Sequence, residues 1–361
     1  MPRTLTQRGI AHLRLRNQRL TGPRLDSPVD VIQWLGAVQA QDYPGAKWAV
    51  AQRTSSADSA SIDRDFDRGD ILRTHAMRPT WHFVAPRDIR WLLQLTAPRI
   101  RSVMATYNRT LELTDAVFLK ANRILAAELS GNRHLTRREI AAALEKRGIA
   151  TGTPRLSRIL MNAELDALVC SGPLRDKQFT YALLEVRVPP APPLSREQAL
   201  ATLTRRYFDS HGPATSQDYA WWSGLRMPDV RAGIELVKSH LIQETIGGRT
   251  YLMSAAAAPR RTKAPVVHLL PNYDEHIVAY RDHGPSFDST LTVPSEAGQP
   301  EPMPHFVTLN GLIIGGWRRT VRSDRIEIAT ALLRKLDRAE SRAFERAGDD
   351  YAKFMGLPVR M

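Results

Sequence analysis

Cysteine is all but missing from this chain of 361 residues: Cys170 stands alone, so neither a disulfide framework nor a cysteine-based zinc site is open to it. It falls in the apolar run LDALVCSG, where a thiol reads as a small core residue. No apolar stretch approaches the roughly 20 residues that cross a bilayer. The opening MPRTLTQRGIAHLRLRNQRL carries cations throughout and no uninterrupted apolar segment of the secretory kind. A cytoplasmic, nucleoid-associated protein is expected. The serine elbow G-x-S-x-G, the phosphate loop G-x-x-x-x-G-K-[ST] and the dinucleotide fingerprint G-x-G-x-x-G are all absent, Gly315, Gly316 and Trp317 being only a superficial likeness. Lysine is scarce as well, with 8 of the 51 cations. Among the lysines, Lys47 near Gln41 is the one placed to be weighed as a Schiff-base amine, but nothing nearby would activate it.

What the chain does carry is positive charge, a formal +14 spread along its length, with 43% hydrophobic residues that suffice for real cores. Spread basic charge suits a polyanion, and double-stranded DNA is the expected partner. The arginine excess by itself is also what a GC-rich genome produces. Neither a membrane nor an obligate protein partner is indicated.

A helical segment, a second helical segment and a two-stranded ending recur three times. In the clearest copy, Thr136 and Glu139 form a capping-box pattern, Gly148 ends the helix, RLSRILMNAELDALVCSG has apolar residues at helical spacing, and GPLRDKQFTYALLE reads as a hairpin. The last copy runs from LSREQALATL to a hairpin turned by Gly247 and Gly248. The first is looser: SPVDVIQWLGAVQAQ, SIDRDFDRGDILRTH, then MRPTWHFVAP. The pattern predicts an α+β fold of three tandem winged-helix modules, at 1–110, 111–190 and 191–258, with PPAPPLSRE as a linker. A β-rich, barrel-like domain at 259–361 follows, closed by a strand and a charged helix over 322–347. In the middle copy Arg155 and Arg158 would begin the helix that meets a DNA groove, the alternative being a solvated face.

Gln39, Ala40 and Gln41 place two amides around one small residue in an otherwise apolar stretch. Such amides lose free energy if buried without partners, and at neutral pH they can orient a water or a base edge but cannot abstract a proton. Asp42 is the nearest carboxylate, either a charge-bearing partner or, beside Tyr43 and Pro44, a residue of a helix end. His82, on the strand face opposite Trp81 and Phe83, is a candidate donor to a phosphate or a leaving base. Asp274, Glu275, His276, Asp282 and His283 crowd into PNYDEHIVAYRDH, yet their spacing is unlike a metal site, and ion pairs to Arg281 or to neighbouring arginines account for them better. No metal or cofactor is expected. Of Trp221 and Trp222, consecutive on a helix, at least one should be core rather than a base-stacking platform.

In VQAQDYPGAKWAV, RPTWHFVAPRDIRWLL, YFDSHGPATSQDYAWWSGL, LLPNYDEHIVAYRDH and NGLIIGGWRR, in that order, the chain resembles the bacterial winged-helix DNA glycosylases of the AlkZ and YcaQ type. The resemblance implies three tandem winged helices plus a β-rich part around a concave cleft. It implies removal of cationic N7-alkylated purines, crosslinked ones included, without metal or cofactor. It also implies that Gln39 and Gln41 are the catalytic pair, matching the branch with two glutamines rather than the one with aspartate at the second position. The rivals are a non-enzymatic winged-helix DNA-binding protein or transcriptional regulator, and a metal-dependent hydrolase centred on Asp274 and His276.

Overall fold

In the computed structural model, residues 6–255, 264–287, 291 and 303–361 are described. Helix α1 (Gln7–Asn17) precedes a first unit of α2 (Pro28–Leu35), β1 (Val38–Gln39), α3 (Tyr43–Ala51), α4 (Ser59–Arg68), β2 (Leu72–His75) and β3 (Trp81–Val84). The long α5 (Pro86–Thr110) leads to a second unit: α6 (Asp115–Leu129), β4 (Leu135–Thr136), α7 (Arg137–Lys146), α8 (Thr153–Leu165), β5 (Val169–Ser171) and β6 (Thr180–Leu183). Both units follow one order, and their sheets agree, β1-β3-β2 and β4-β6-β5, antiparallel throughout. After the short α9 (Leu184–Arg187), the third unit has α10 (Arg196–His211), α11 (Ser216–Ser223), α12 (Met227–Leu236) and the hairpin β7 (Leu241–Ile246) and β8 (Arg249–Ser254). A single bridge from Ala214 to Leu252 stands where the other units have their first strand.

The repeat expected in the sequence is therefore present, with three helices in each unit rather than the expected two. Gly36 takes a positive φ of 85° and stops α2, so Gln39 is on a strand and not on a helix. Tyr43 and Pro44 open α3 rather than end a helix: proline in the first turn lacks only an N–H that had no intrahelical partner there. The Thr136–Glu139 capping box forms as expected.

The C-terminal part holds β9 (Val267–Leu270), α13 (Glu275–Val278), β10 (His305–Leu309), β11 (Leu312–Val321), β12 (Ile326–Leu332), α14 (Arg338–Met355) and β13 (Val359–Arg360). Its five strands, in order β13-β12-β11-β10-β9, form a half-barrel sheet that leaves β9 and β13 as edges among the described residues. The expected boundary at 258 lies outside the described residues.

These parts do not each close a core of their own. Val31, Ile32, Trp48, Phe66 and Phe83 of the first unit share one apolar cluster with Leu269, Val307, Trp317, Tyr351 and Phe354 of the last. Trp48 Nε1 donates to Leu269 O at 2.6 Å across that junction. A second cluster joins Leu72, Met77 and Trp91 to Tyr207, Tyr219, Trp222 and Tyr280. The middle unit keeps a core around Leu125, Ile140, Leu144 and Leu160. Among the described residues no helix is long and apolar enough to cross a membrane.

Candidate active site

Strand β1 sets Gln39 opposite His82, and His82 lies opposite Thr74, so three polar residues form one row across the sheet. Gln39 is 7% exposed and held from both ends. Its N–H donates to Glu275 Oε1 at 2.9 Å, and its side-chain oxygen accepts from an Arg78 Nη at 3.0 Å. Arginine has only donors, so the amide must present its carbonyl to Arg78, which leaves its NH2 group for another partner. Ala40 is pinned through its backbone, N–H to Trp81 O at 2.7 Å and O from Arg73 Nε at 3.0 Å. Gln41 is exposed and makes no hydrogen bond among the described residues. A clamped amide thus precedes a free one.

Glu275 is the anchor beneath this pair. It is 1% exposed, its second oxygen accepts from Trp222 Nε1 at 2.9 Å, and His211 Nε2 is 3.4 Å away. Burial pushes its carboxyl upward, but His211 and the Gln39 N–H outweigh that and hold it below the usual range, so it is ionised. Burial in turn lowers His211, with the Glu275 carboxylate opposing that shift. Arg78, lowered by burial and supported by Glu275, balances the buried negative charge without touching it.

His82 is fully buried. Burial, with Arg78 nearby, lowers its pKa to about 3, and its Nδ1 donates to Thr80 O at 2.9 Å. At neutral pH it has neither a proton on Nε2 nor surface with which to reach a phosphate, so the donor role expected of it does not fit this placement. Asp42 is the N-cap of α3 yet makes no capping bond. Its carboxylate packs on Gly45, where an added Cβ would come within 2.5 Å, and acts electrostatically on His305 and Tyr351.

Arg155, half-buried, donates to Ala150 O at 3.0 Å and to Leu111 O, while Arg158, 9% exposed, donates to Asn108 Oδ1 at 3.0 Å. Both tie α8 to the end of α5 and its following turn. Asp274 is engaged by Arg53, not Arg281, through two bonds of 2.7 and 2.8 Å with both side chains fully buried, while His276 Nε2 meets Gly311 O at 2.9 Å. No group of three metal-ligating side chains occurs among the described residues. Lys47 is bound to Asp63 at 2.7 Å and to Ser59, and burial raises Cys170 to about 12, leaving it an unreactive thiol.

Several buried histidines are held neutral: burial lowers His268 and His276 to about 4 and His82 to about 3. The unfolded chain takes up these protons below its ordinary value near 6.5, the folded chain only below about 4, so stability falls as pH drops through that window. A thermal melt at pH 4.5 is expected about 10 °C or more below that at pH 7. Equal melting temperatures would show that the histidines are not buried as described.

A basic α+β protein that sets a clamped amide beside an exposed one fits the class of glycosidic-bond hydrolases that act on DNA. The chain belongs to the AlkZ-like DNA glycosylase family, whose model matches residues 32–354. It is 24% identical to an interstrand DNA cross-link repair glycosylase of Streptomyces sahachiroi, over 96% of this chain and 97% of that one. Its fold is similar to the solved structure of the Streptomyces sahachiroi DNA glycosylase AlkZ, with a TM-score of 0.78 and 22% identity over 99% of this chain and all of the other.

Proposed function

We propose that the protein is a monofunctional DNA glycosylase that hydrolyses the N-glycosidic bond of cationic N7-alkylated purines in duplex DNA, bulky adducts and interstrand crosslinks included. Its three repeated units are read as winged-helix modules lining a cleft. The order of helix, strand, two helices and two strands, with a single bridge in place of the first strand in the third unit, supports that reading.

The observation that carries the proposal is the clamp on Gln39, with the unbonded Gln41 two residues on. An N7-alkylated purine already bears a positive charge. When C1′–N9 breaks, the electron pair stays on N9 and the base leaves neutral, so no strong general acid is needed. What remains is to stabilise an oxocarbenium-like sugar and to place a water at C1′. Gln41 can accept a hydrogen bond from that water, and Gln39, immobilised by Arg78 and Glu275, can hold its oxygen through the free NH2 group. Such preorganised dipoles cost no reorganisation at the moment of reaction. The water oxygen bonds to C1′ and its proton passes to solvent, leaving an abasic site.

The test is base release from duplexes carrying a 7-methylguanine, a bulky N7 adduct or an N7 crosslink, with EDTA present throughout. Release from all of them in chelator is expected; release abolished by chelator would mean a metal-dependent reaction. A regulator would release no base and would select a specific site. Because binding rests on phosphate contacts, raising salt from about 50 to about 200 mM should weaken duplex affinity about a hundredfold or more, with little sequence preference. A salt-insensitive, sequence-specific complex would contradict this.

A further inference from the structure

The helical offset of about 100° between neighbouring residues sends Trp222 into the core and Trp221 outward. Trp222 is fully buried with its Nε1 on Glu275, whereas Trp221 is 48% exposed. An indole left half in water is costly, yet this one is held in place. Trp221 Nε1 donates to Val278 O at 3.2 Å, at the end of α13, the helix whose first residue, Glu275, anchors Gln39. Over one face of the ring the Arg78 guanidinium lies 5.7 Å from the centroid, the same guanidinium that meets the Gln39 carbonyl, which leaves the opposite face for a base. The end of α11 is pressed on the loop carrying Arg78. Gly224 has φ +70°, and a Cβ there would fall 2.2 Å from Met77 O. The ring therefore cannot move independently of the catalytic pair.

We propose that Trp221 is a specificity-determining residue that stacks on the alkylated base and prefers it for its positive charge. The inference rests on the glycosylase reading above. Aromatic side chains stack on any base, but tryptophan also attracts a cation over its face, and an N7-alkylpurine is both aromatic and cationic. Guanine offers only the stacking. Once the bond has broken the base is neutral, so the preference vanishes in the product and release is assisted.

The experiment compares wild type, Trp221→Ala and Trp221→Phe in binding to two duplexes. One contains 7-methylguanine on a 2′-fluorinated sugar, whose fluorine disfavours the oxocarbenium ion and so slows cleavage. The other is unmodified. Wild type should prefer the lesion; Trp221→Ala should lose about 5- to 20-fold of that preference with unchanged affinity for the unmodified duplex and an unchanged melting temperature, and Trp221→Phe should keep most of it. Full preference in Trp221→Ala, or an equal loss on both duplexes, overturns the inference while excision by wild type leaves the glycosylase reading intact. A wild type that neither prefers nor excises the lesion overturns that reading, and this inference with it.

Discussion

Replacing either Gln39 or Gln41 by alanine is expected to slow single-turnover excision of 7-methylguanine by about a hundredfold or more, the scale on which one preorganised dipole at a reacting centre acts. Duplex affinity should stay near wild type, because phosphate contacts elsewhere supply it. The two variants should differ in stability. Gln41 is exposed with no hydrogen bond among the described residues, so its loss costs the fold little. Gln39→Ala removes the acceptor of a half-buried guanidinium, Arg78, and should cost about 1–3 kcal/mol. The double variant should be less than additive, since both amides hold one water. Normal excision in both single variants would remove these residues from the mechanism.

The largest stability effect is expected far from the amides in sequence. Asp274→Ala leaves Arg53 buried and uncompensated, a loss of about 3–5 kcal/mol, or about 10 °C in melting temperature. Arg53 also donates to Gln18 Oε1 at 2.9 Å and to Gln18 O at 3.0 Å, so the pair joins the N-terminal helix, the first unit and the C-terminal part. Asp274 Oδ1 in addition accepts the His276 N–H at 2.8 Å, capping the helix on which Glu275 begins. Excision should fall with stability, because the anchor of Gln39 loosens. Restoring a packed apolar pair with Arg53→Met and Asp274→Leu should recover much of the lost stability, since a buried ion pair gains little over apolar groups of similar volume. A single variant that melts like wild type would contradict the described burial.

Local chemistry was legible in the sequence and long-range partnership was not. The Thr136–Glu139 box, the Gly247–Gly248 hairpin and the strand-then-helix ending are set by neighbours a few residues apart, and each formed as expected. The division between Trp221 and Trp222 followed from helical pitch. The strand at Gln39 was missed because apolar periodicity ran through Gly36, and α3 because Pro44 marks a helix start as readily as a stop. Asp274 and Glu275 read as an acidic cluster because their partners Arg53 and Gln39 are 221 and 236 positions away. Arg78 opens the quoted RPTWHFVAP motif and was passed over for His82, whose burial no local pattern reveals. Arg155 and Arg158 occupy the expected helix start, but rotamers that fold back onto Leu111 and Asn108 leave no mark in the sequence.

The central claim is that the lesion's own charge makes the base a good leaving group, so that neutral amides suffice. It is tested most directly by excision rates on two duplexes, one with cationic 7-methylguanine and one with uncharged hypoxanthine, measured from about pH 6 to 9. His82, held near 3 by burial, stays uncharged throughout that range. The account predicts a flat profile on 7-methylguanine and no release of hypoxanthine. A bell-shaped profile with comparable release of both bases would contradict it.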